Sequence, residues 1–299
     1  MHEISIIVAT YNPDYGKTID TLDSIICQKD VDLEIVVADD GSAENHFSEL
    51  KDYFDDKNFV NYKLAALEEN QGTVRNLANG INSSDAEVVK FISPGDKLAN
   101  ENVLSKWLDN MRSQKCEWSF ADCVYYHMEN EKPVEDRALR HPFVLNPYEM
   151  QRGYKCRRNY IVFADNANGA GTICSKELAQ RYINLIMKHV KFAEDNMYRL
   201  MMYDGIVPSY FAEPAVLYEN GTGVSTSGSD KWKAILTEEW KNVSNIIIKS
   251  QTKDFSQYRL KIGLIVVENT GFIGKAIRLF WHKLHKLSKR AFITGILEQ

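Results

Sequence analysis

Cysteine is scarce and unpatterned in this chain: five residues, at 27, 116, 123, 156 and 174, with no Cys-x-x-Cys pair among them. An odd count without paired spacing argues against a disulfide framework and a structural zinc site, and fits reduced thiols in a cytosol. Long apolar runs are missing too. No segment approaches the roughly 18 to 20 uninterrupted apolar residues of a membrane-spanning helix. The amino terminus has no cationic stretch leading into a long apolar core, so no signal peptide is expected. Positive charge is not in excess: the formal net charge is −5, which offers no overall field for nucleic acid. Internal repeats and low-complexity tracts are absent. These absences predict a cytoplasmic protein without a nucleic-acid partner, soluble or lying at the inner face of the cell membrane. What remains, 299 residues of which 44% are apolar, suffices for a buried core in one large domain with an appendage.

The apolar pattern predicts an α/β fold. Ile4 to Ala9 is a strand-sized apolar run that ends at Thr10-Tyr11-Asn12-Pro13, where asparagine and proline open a turn. Ile19, Leu22, Ile25 and Ile26 then recur at helical spacing, and a second buried strand, Leu33 to Ala38, closes on Asp39-Asp40-Gly41-Ser42. A strand, helix, strand unit of this length implies parallel pairing with a right-handed crossover. Further strands are expected at Val60 to Ala66, Val88 to Ile92 and Trp118 to Tyr126, with helices at Val74 to Ile81, Glu177 to Ile186 and about Glu194 to Tyr203. Each polar turn falls at the carboxyl end of a strand, the edge where open α/β sheets bind ligands. Glu129 to Arg158, with prolines at 133, 142 and 147, reads as a loop-rich excursion suited to holding a second substrate. The Gly-Ser cluster from Gly221 to Ser229 places a domain end near residue 228. No Gly-x-Gly-x-x-Gly follows the first strand, which argues against a dinucleotide-dependent dehydrogenase.

Five segments carry the chemistry: Ser5 to Asn12, Ala38 to Ser42, Asn70-Gln71-Gly72 with Arg75-Asn76, Ser93-Pro94-Gly95-Asp96, and Glu194-Asp195. Singly, each has a local explanation, as turn residues or as acids at a helix N-terminus. In order and spacing the set resembles the inverting glycosyltransferases of family 2, over roughly the first three quarters of the chain. The resemblance implies a GT-A fold, a Rossmann-like and mostly parallel sheet flanked by helices. It divides residues 1–228 into a donor half to about 125 and an acceptor half beyond, with 229–299 as a helical extension. It implies a nucleotide-diphosphate sugar as donor, most commonly a UDP-sugar, held by Ala9, Thr10, Tyr11, Asn12, Asp39, Asp40, Gly72 and Arg75. Tyr11 suits stacking on a base, Asp39 suits an imide N–H, and the planar fork of Arg75 suits a phosphate.

The same resemblance makes Asp195 the base that takes the acceptor hydroxyl proton, with Glu194, Asn168 and Gly169 on the acceptor side. The acceptor would be a glycan or glycoconjugate, in surface polysaccharide or glycoconjugate synthesis. A divalent metal, Mn²⁺ or Mg²⁺, is expected at Asp96, which stands in register with the family's Asp-x-Asp turn although serine and glycine replace the preceding acids. No histidine occupies Tyr218-Glu219-Asn220-Gly221, where many relatives carry one, and either Glu219 or Asn220 offers an oxygen ligand instead. These two departures motivate an alternative, a catalytically silent nucleotide-sugar-binding or assembly subunit. Beyond residue 229 the pattern is helical, and Phe272 to Phe292 sets Ile273, Ile277, Phe280, Trp281, Leu284 and Leu287 against Lys275, Arg278, Lys283, Lys286, Lys289 and Arg290, with no acid between Glu268 and Glu298. Such a helix suits either an anionic membrane surface or a partner subunit of a homo-oligomer.

Overall fold

The computed structural model describes residues 1–130, 132–136, 141–221, 223 and 228–286. Its centre is a sheet that begins as four parallel strands: β1 (His2–Thr10), β2 (Leu33–Asp39), β3 (Tyr62–Ala66) and β4 (Ala86–Ile92), in the order β3-β2-β1-β4. The helices α1 (Tyr15–Ile26), α2 (Phe47–Asp56) and α3 (Thr73–Ser83) make the crossovers between them. After the two-residue β5 (Lys97–Leu98) and α4 (Val103–Ser113), the long β6 (Trp118–Glu129) pairs with the short β7 (Lys132–Glu135). Next come α5 (Asn146–Glu149), α6 (Gly153–Phe163), β8 (Thr172–Ser175), α7 (Lys176–Ile186), α8 (Asn196–Asp204) and β9 (Ser209–Glu219). β8 joins the sheet antiparallel to both β4 and β6, and β9 lies parallel to β6 with a register shift near Asp122. The ends of β6 and β9 meet the turn that follows β4: β9 pairs antiparallel with β5, and Tyr126 OH donates to the Gly95 carbonyl.

Side chains alternate across a strand, and β1 shows the two cores directly. Ile4, Ile6 and Val8 point to the layer of α1, α2 and α4, packed with Leu22, Phe54 and Trp107. Ile7 points to the layer of α3, α6, α7 and α8, packed with Leu77, Tyr160, Tyr182 and Met201. The chain beyond residue 229 forms α9 (Asp230–Lys249), α10 (Phe255–Asn269) and α11 (Phe272–Lys286). Val243, Ile247, Leu260, Leu264 and Val267 from these helices enter the same cluster as Ile7.

Two expectations need correction. The excursion from Glu129 to Arg158 is only partly loop, because most of it from Gly153 onward belongs to α6, whose Cys156, Tyr160, Ile161 and Val162 are buried. α6 escapes periodicity because its polar residues are inside as well: Arg157 is buried and donates to the carbonyls of Met202 and Tyr203, each at 2.7 Å. The single apolar stripe on the last helix is in fact two. Trp281 faces inward and stacks on Phe163 at 5.0 Å, with Ile277 beside the core, while Phe272, Ile273, Leu279, Phe280 and Leu284 face solvent. Leu287 of that stripe, and Lys289 and Arg290 opposite it, lie outside the described residues. Among the described residues no helix is long and apolar enough to cross a membrane.

Candidate active site

The ends of β1 and β2 are tied by one carboxylate. Asp39, fully buried, accepts from Thr10 Oγ1 at 2.9 Å and from Ser42 Oγ at 2.6 Å on one oxygen, and from the Ser42 amide at 2.8 Å on the other. Ser42 Oγ in turn accepts from the Asn12 amide at 2.7 Å, and Asn12 Oδ1 accepts from the Ala43 amide at 3.2 Å. Asn12 sits at φ 44°, a left-handed conformation that asparagine tolerates better than most residues. Ala9 packs half-buried just beneath, and Tyr11 stands out at the mouth, 53% exposed. Sequence reasoning thus brings Ala9, Thr10, Tyr11, Asn12 and Asp39 to one edge. Asn76 adds to it from α3, donating to the carbonyls of Ala38 at 2.8 Å and Thr10 at 3.3 Å.

Asp40 does different work. Its two oxygens accept from the amides of Gln71 and Gly72, at 2.8 and 2.9 Å, so it fixes the loop entering α3. Burial raises its pKa and these two amides oppose the rise. Gly72 adopts φ +91°, and a Cβ there would lie 2.3 Å from Lys191 Cγ and 2.6 Å from the Lys191 carbonyl. That carbonyl also accepts from the Val74 amide at 3.0 Å. The loop entering α3 therefore abuts the segment leading to Glu194-Asp195. Arg75, one turn into α3, is exposed and lines a cleft of about 670 Å³ with Gln71, Lys191 and Glu238.

The turn after β4 presents Asp96. Its Oδ1 accepts from the Glu219 amide at 2.9 Å, its carbonyl accepts from Thr21 Oγ1 at 2.8 Å, and the residue is 5% exposed. Burial pushes its pKa up to about 7, against the pull of the Glu219 amide and the charge of Lys90. Lys90 is itself buried in β4, donating to the Ala170 carbonyl, and burial pushes its pKa down to about 8. Glu219 accepts from Lys17 Nζ at 2.5 Å.

Asp195 precedes α8, and its Oδ1 is sealed from solvent without a hydrogen-bond partner although the residue as a whole is half-buried. A Cβ on Gly169 would sit 2.1 Å from that oxygen, so only glycine leaves it room. Asn168 holds the glycine turn, accepting from the Ala170 amide at 2.8 Å and donating to Tyr125 OH at 3.0 Å. The structure thus brings Asp195, Gly169 and Asn168 together as expected. Burial raises the proton affinity of both Asp195 and Glu194, and the charge of Asp195 adds to the rise at Glu194. Tyr160, which no sequence motif singles out, is fully buried, and burial followed by the nearby charge of Asp195 holds its phenolic proton; its hydroxyl is likewise sealed and unpaired.

Two residues outside the expected set shape this loop. Glu239 on α9 accepts from the amides of Lys191 at 2.8 Å, Phe192 at 3.1 Å and Ala193 at 2.7 Å, a run of successive N–H groups closing on one carboxylate. Arg199 on α8 is fully buried, lies 3.3 Å over the Trp240 ring, and donates to the Trp240 carbonyl at 2.9 Å and Ser244 Oγ at 2.9 Å. Neither pairing has a local sequence signature, because the partners stand more than 40 residues apart.

Comparisons with known proteins bear on this arrangement. No curated protein matches the chain. Among solved structures, residues 1–349 of Staphylococcus aureus TarS in complex with UDP align with a TM-score of 0.59 at 16% identity, covering 90% of this chain and 73% of that one. The same fragment in complex with UDP-GlcNAc aligns at 0.59 and 15% identity, covering 95% and 78%. The mannosyltransferase PcManGT from Pyrobaculum calidifontis, in complex with GDP-Man and Mn²⁺, aligns at 0.61 and 14% identity, covering 97% and 76%. At such identities the likeness shows the shared GT-A fold. The sequence family described as Glycosyl transferase family 2 matches residues 5–168, more than half of the chain. With that match and this fold, the chain belongs to glycosyl transferase family 2.

Proposed function

We propose that the chain transfers a sugar, with inversion, from a UDP-sugar to a hydroxyl of a glycan or glycoconjugate acceptor, in surface polysaccharide or glycoconjugate synthesis. Residues 1–228 form the catalytic domain in this reading and 229–299 its helical extension. The observation that carries it is Asp195, a half-buried carboxylate of raised proton affinity beside Gly169, whose Oδ1 is left without a hydrogen-bond donor from the protein. The acceptor oxygen bonds to the anomeric carbon as the bond from that carbon to the diphosphate breaks. The diphosphate leaves with the electron pair, and the hydroxyl proton passes to Asp195. Glu194, Asn168 and Gly169 line the acceptor side.

Tyr11 stacks on the base, Thr10, Asn12 and Asp39 set the floor beneath it with Ala9, and Arg75 reaches the diphosphate. Asp40 and Gly72 act by shaping the loop that carries Arg75. Asp96 offers Oδ2 to a divalent cation, since its Oδ1 is engaged by Glu219. A hard oxygen ligand fits Mg²⁺ or Mn²⁺, which when bound offset the charge of the departing diphosphate. The exposed face of α11, where Phe272, Ile273, Phe280 and Leu284 accompany Lys275 and Lys283, suits an anionic membrane surface.

Asp195→Asn tests the reaction. It should abolish transfer, by about 10²- to 10⁴-fold or more, while UDP binding persists. Wild-type protein that binds UDP but transfers to no acceptor in a broad panel would instead be a nucleotide-sugar-binding subunit. Co-sedimentation with phosphatidylserine vesicles tests the membrane face: Phe280→Glu should weaken binding, and an equal value would remove the idea.

A further inference from the structure

The turn after β4 has lost the acids that precede Asp96, but a carboxylate stands in the space they would use. Gly95 adopts φ +100°, and a Cβ built on it would fall 2.1 Å from Glu219 Oε2. The volume belonging to a side chain at position 95 is therefore filled by a carboxylate arriving from the end of β9. Two bonds hold Glu219 there and a third ties the turn to β6. The Glu219 amide donates to Asp96 Oδ1 at 2.9 Å, Tyr126 OH donates to the Gly95 carbonyl at 2.5 Å, and Lys17 Nζ donates to Glu219 Oε1 at 2.5 Å. Tyr126 and Glu219 are register partners across β6 and β9, so the sheet itself delivers both.

Glu219 is 6% exposed, and its Oε2 is sealed with no hydrogen-bond donor. The ion pair with Lys17 uses Oε1 alone and leaves Oε2 an unsatisfied buried acceptor, which is unfavourable. A cation that shares this oxygen with Asp96 Oδ2 would remove that cost. We propose that Glu219 supplies from β9 the carboxylate missing from the turn, so that Glu219 and Asp96 together hold the divalent cation of the nucleotide diphosphate. The inference rests on the donor reading given above. Two carboxylate oxygens, with phosphate oxygens and water completing the shell, match the few protein ligands that Mg²⁺ and Mn²⁺ accept. Lys17, on the opposite oxygen, orients the carboxylate without occupying Oε2.

The test is titration of full-length protein with Mn²⁺, followed by electron paramagnetic resonance, with and without UDP. Glu219→Gln preserves shape and should weaken Mn²⁺ binding by at least about tenfold, as even losses outside the first coordination shell often do. Lys17→Met removes a competing positive charge and should tighten it. Thermal unfolding of each variant confirms that the fold is retained. If Glu219→Gln binds Mn²⁺ like wild type while Asp96→Asn does not, Glu219 is only the ion-pair partner of Lys17 and the inference fails. It also fails if wild type binds UDP equally well with and without Mn²⁺, a result that leaves the donor reading intact. Binding of Mn²⁺ that still drops in Glu219→Gln, in a protein that binds neither UDP nor GDP, would keep the ion site and remove the donor reading.

Discussion

Glu239 accepts a 2.7 Å hydrogen bond from the Ala193 amide, two residues before Asp195. With the amides of Lys191 and Phe192 it completes a cradle that fixes the direction in which the chain enters α8. Glu239→Ala leaves three amides without their acceptor, which should cost roughly 1–3 kcal/mol of stability. It should also lower kcat about 10- to 100-fold through misplacement of the base, with UDP affinity little changed. Glu239→Gln keeps one carbonyl oxygen and should fall between. Steady-state kinetics beside equilibrium UDP binding measures the split, and an unaltered kcat in Glu239→Ala would mean that the loop holds itself.

Proton affinity at Asp195 and Glu194 is raised by burial, and the proposed reaction needs Asp195 ionised. kcat/KM should therefore climb as pH passes the raised ionisation and then level off, and a flat profile across about pH 5 to 9 would exclude a buried carboxylate base. Stability moves the opposite way. The folded state holds these protons more tightly than the unfolded chain, so stability falls as pH rises from the ordinary carboxylate range to the raised values. Glu194→Gln should flatten that fall in urea titrations at several pH values.

Gly169→Ala should be more damaging than its size suggests. The methyl would meet Asp195 Oδ1 at 2.1 Å, and the turn is pinned by Thr172 Oγ1 donating to the Gly169 carbonyl at 2.7 Å. Overpacking of this kind costs about 1–3 kcal/mol. Because the group displaced is the proposed base, transfer should fall at least about tenfold while UDP affinity stays the same. Wild-type activity in Gly169→Ala would place the base elsewhere.

Arg199→Ala removes a buried guanidinium that joins α8 to α9 through the Trp240 ring, the Trp240 carbonyl and Ser244. Charge-assisted hydrogen bonds and a desolvated ring contact together should make the loss about 2–4 kcal/mol. Denaturant unfolding reads it, and a cost below about 1 kcal/mol would mean that the contacts are replaced by water.

Local chemistry explains which parts of this molecule were legible. β1, β2 and the turns after them are written in consecutive residues, an apolar run and then Asn12-Pro13 or Asp40-Gly41, so both strand ends and their placement at one edge follow from the chain alone. The resemblance puts Gly169 on the acceptor side with Asp195, whereas the reason only glycine fits there is visible in three dimensions. α6 is not legible in the sequence because buried Arg157 and Asn159 break the amphipathic rhythm that marks a helix. Glu219 meets Asp96 across 123 residues, and Glu239 meets Ala193 across 46. Such pairings are set by how sheets and helices close, and no spacing rule encodes them. On α11 the same stripe of large apolar residues serves two masters, Trp281 inside and Phe280 outside, because a helix that packs at one edge buries only part of its apolar arc.

The circuit of Thr10, Asp39, Ser42 and Asn12 has a thermodynamic corollary. Its donors and acceptors already satisfy one another, so the floor proposed to lie beneath the base has surrendered its conformational freedom during folding. A ligand arriving there meets a surface that needs no ordering, and the entropic penalty of association falls mainly on the ligand's own torsions and on Tyr11, the exposed side chain at the rim.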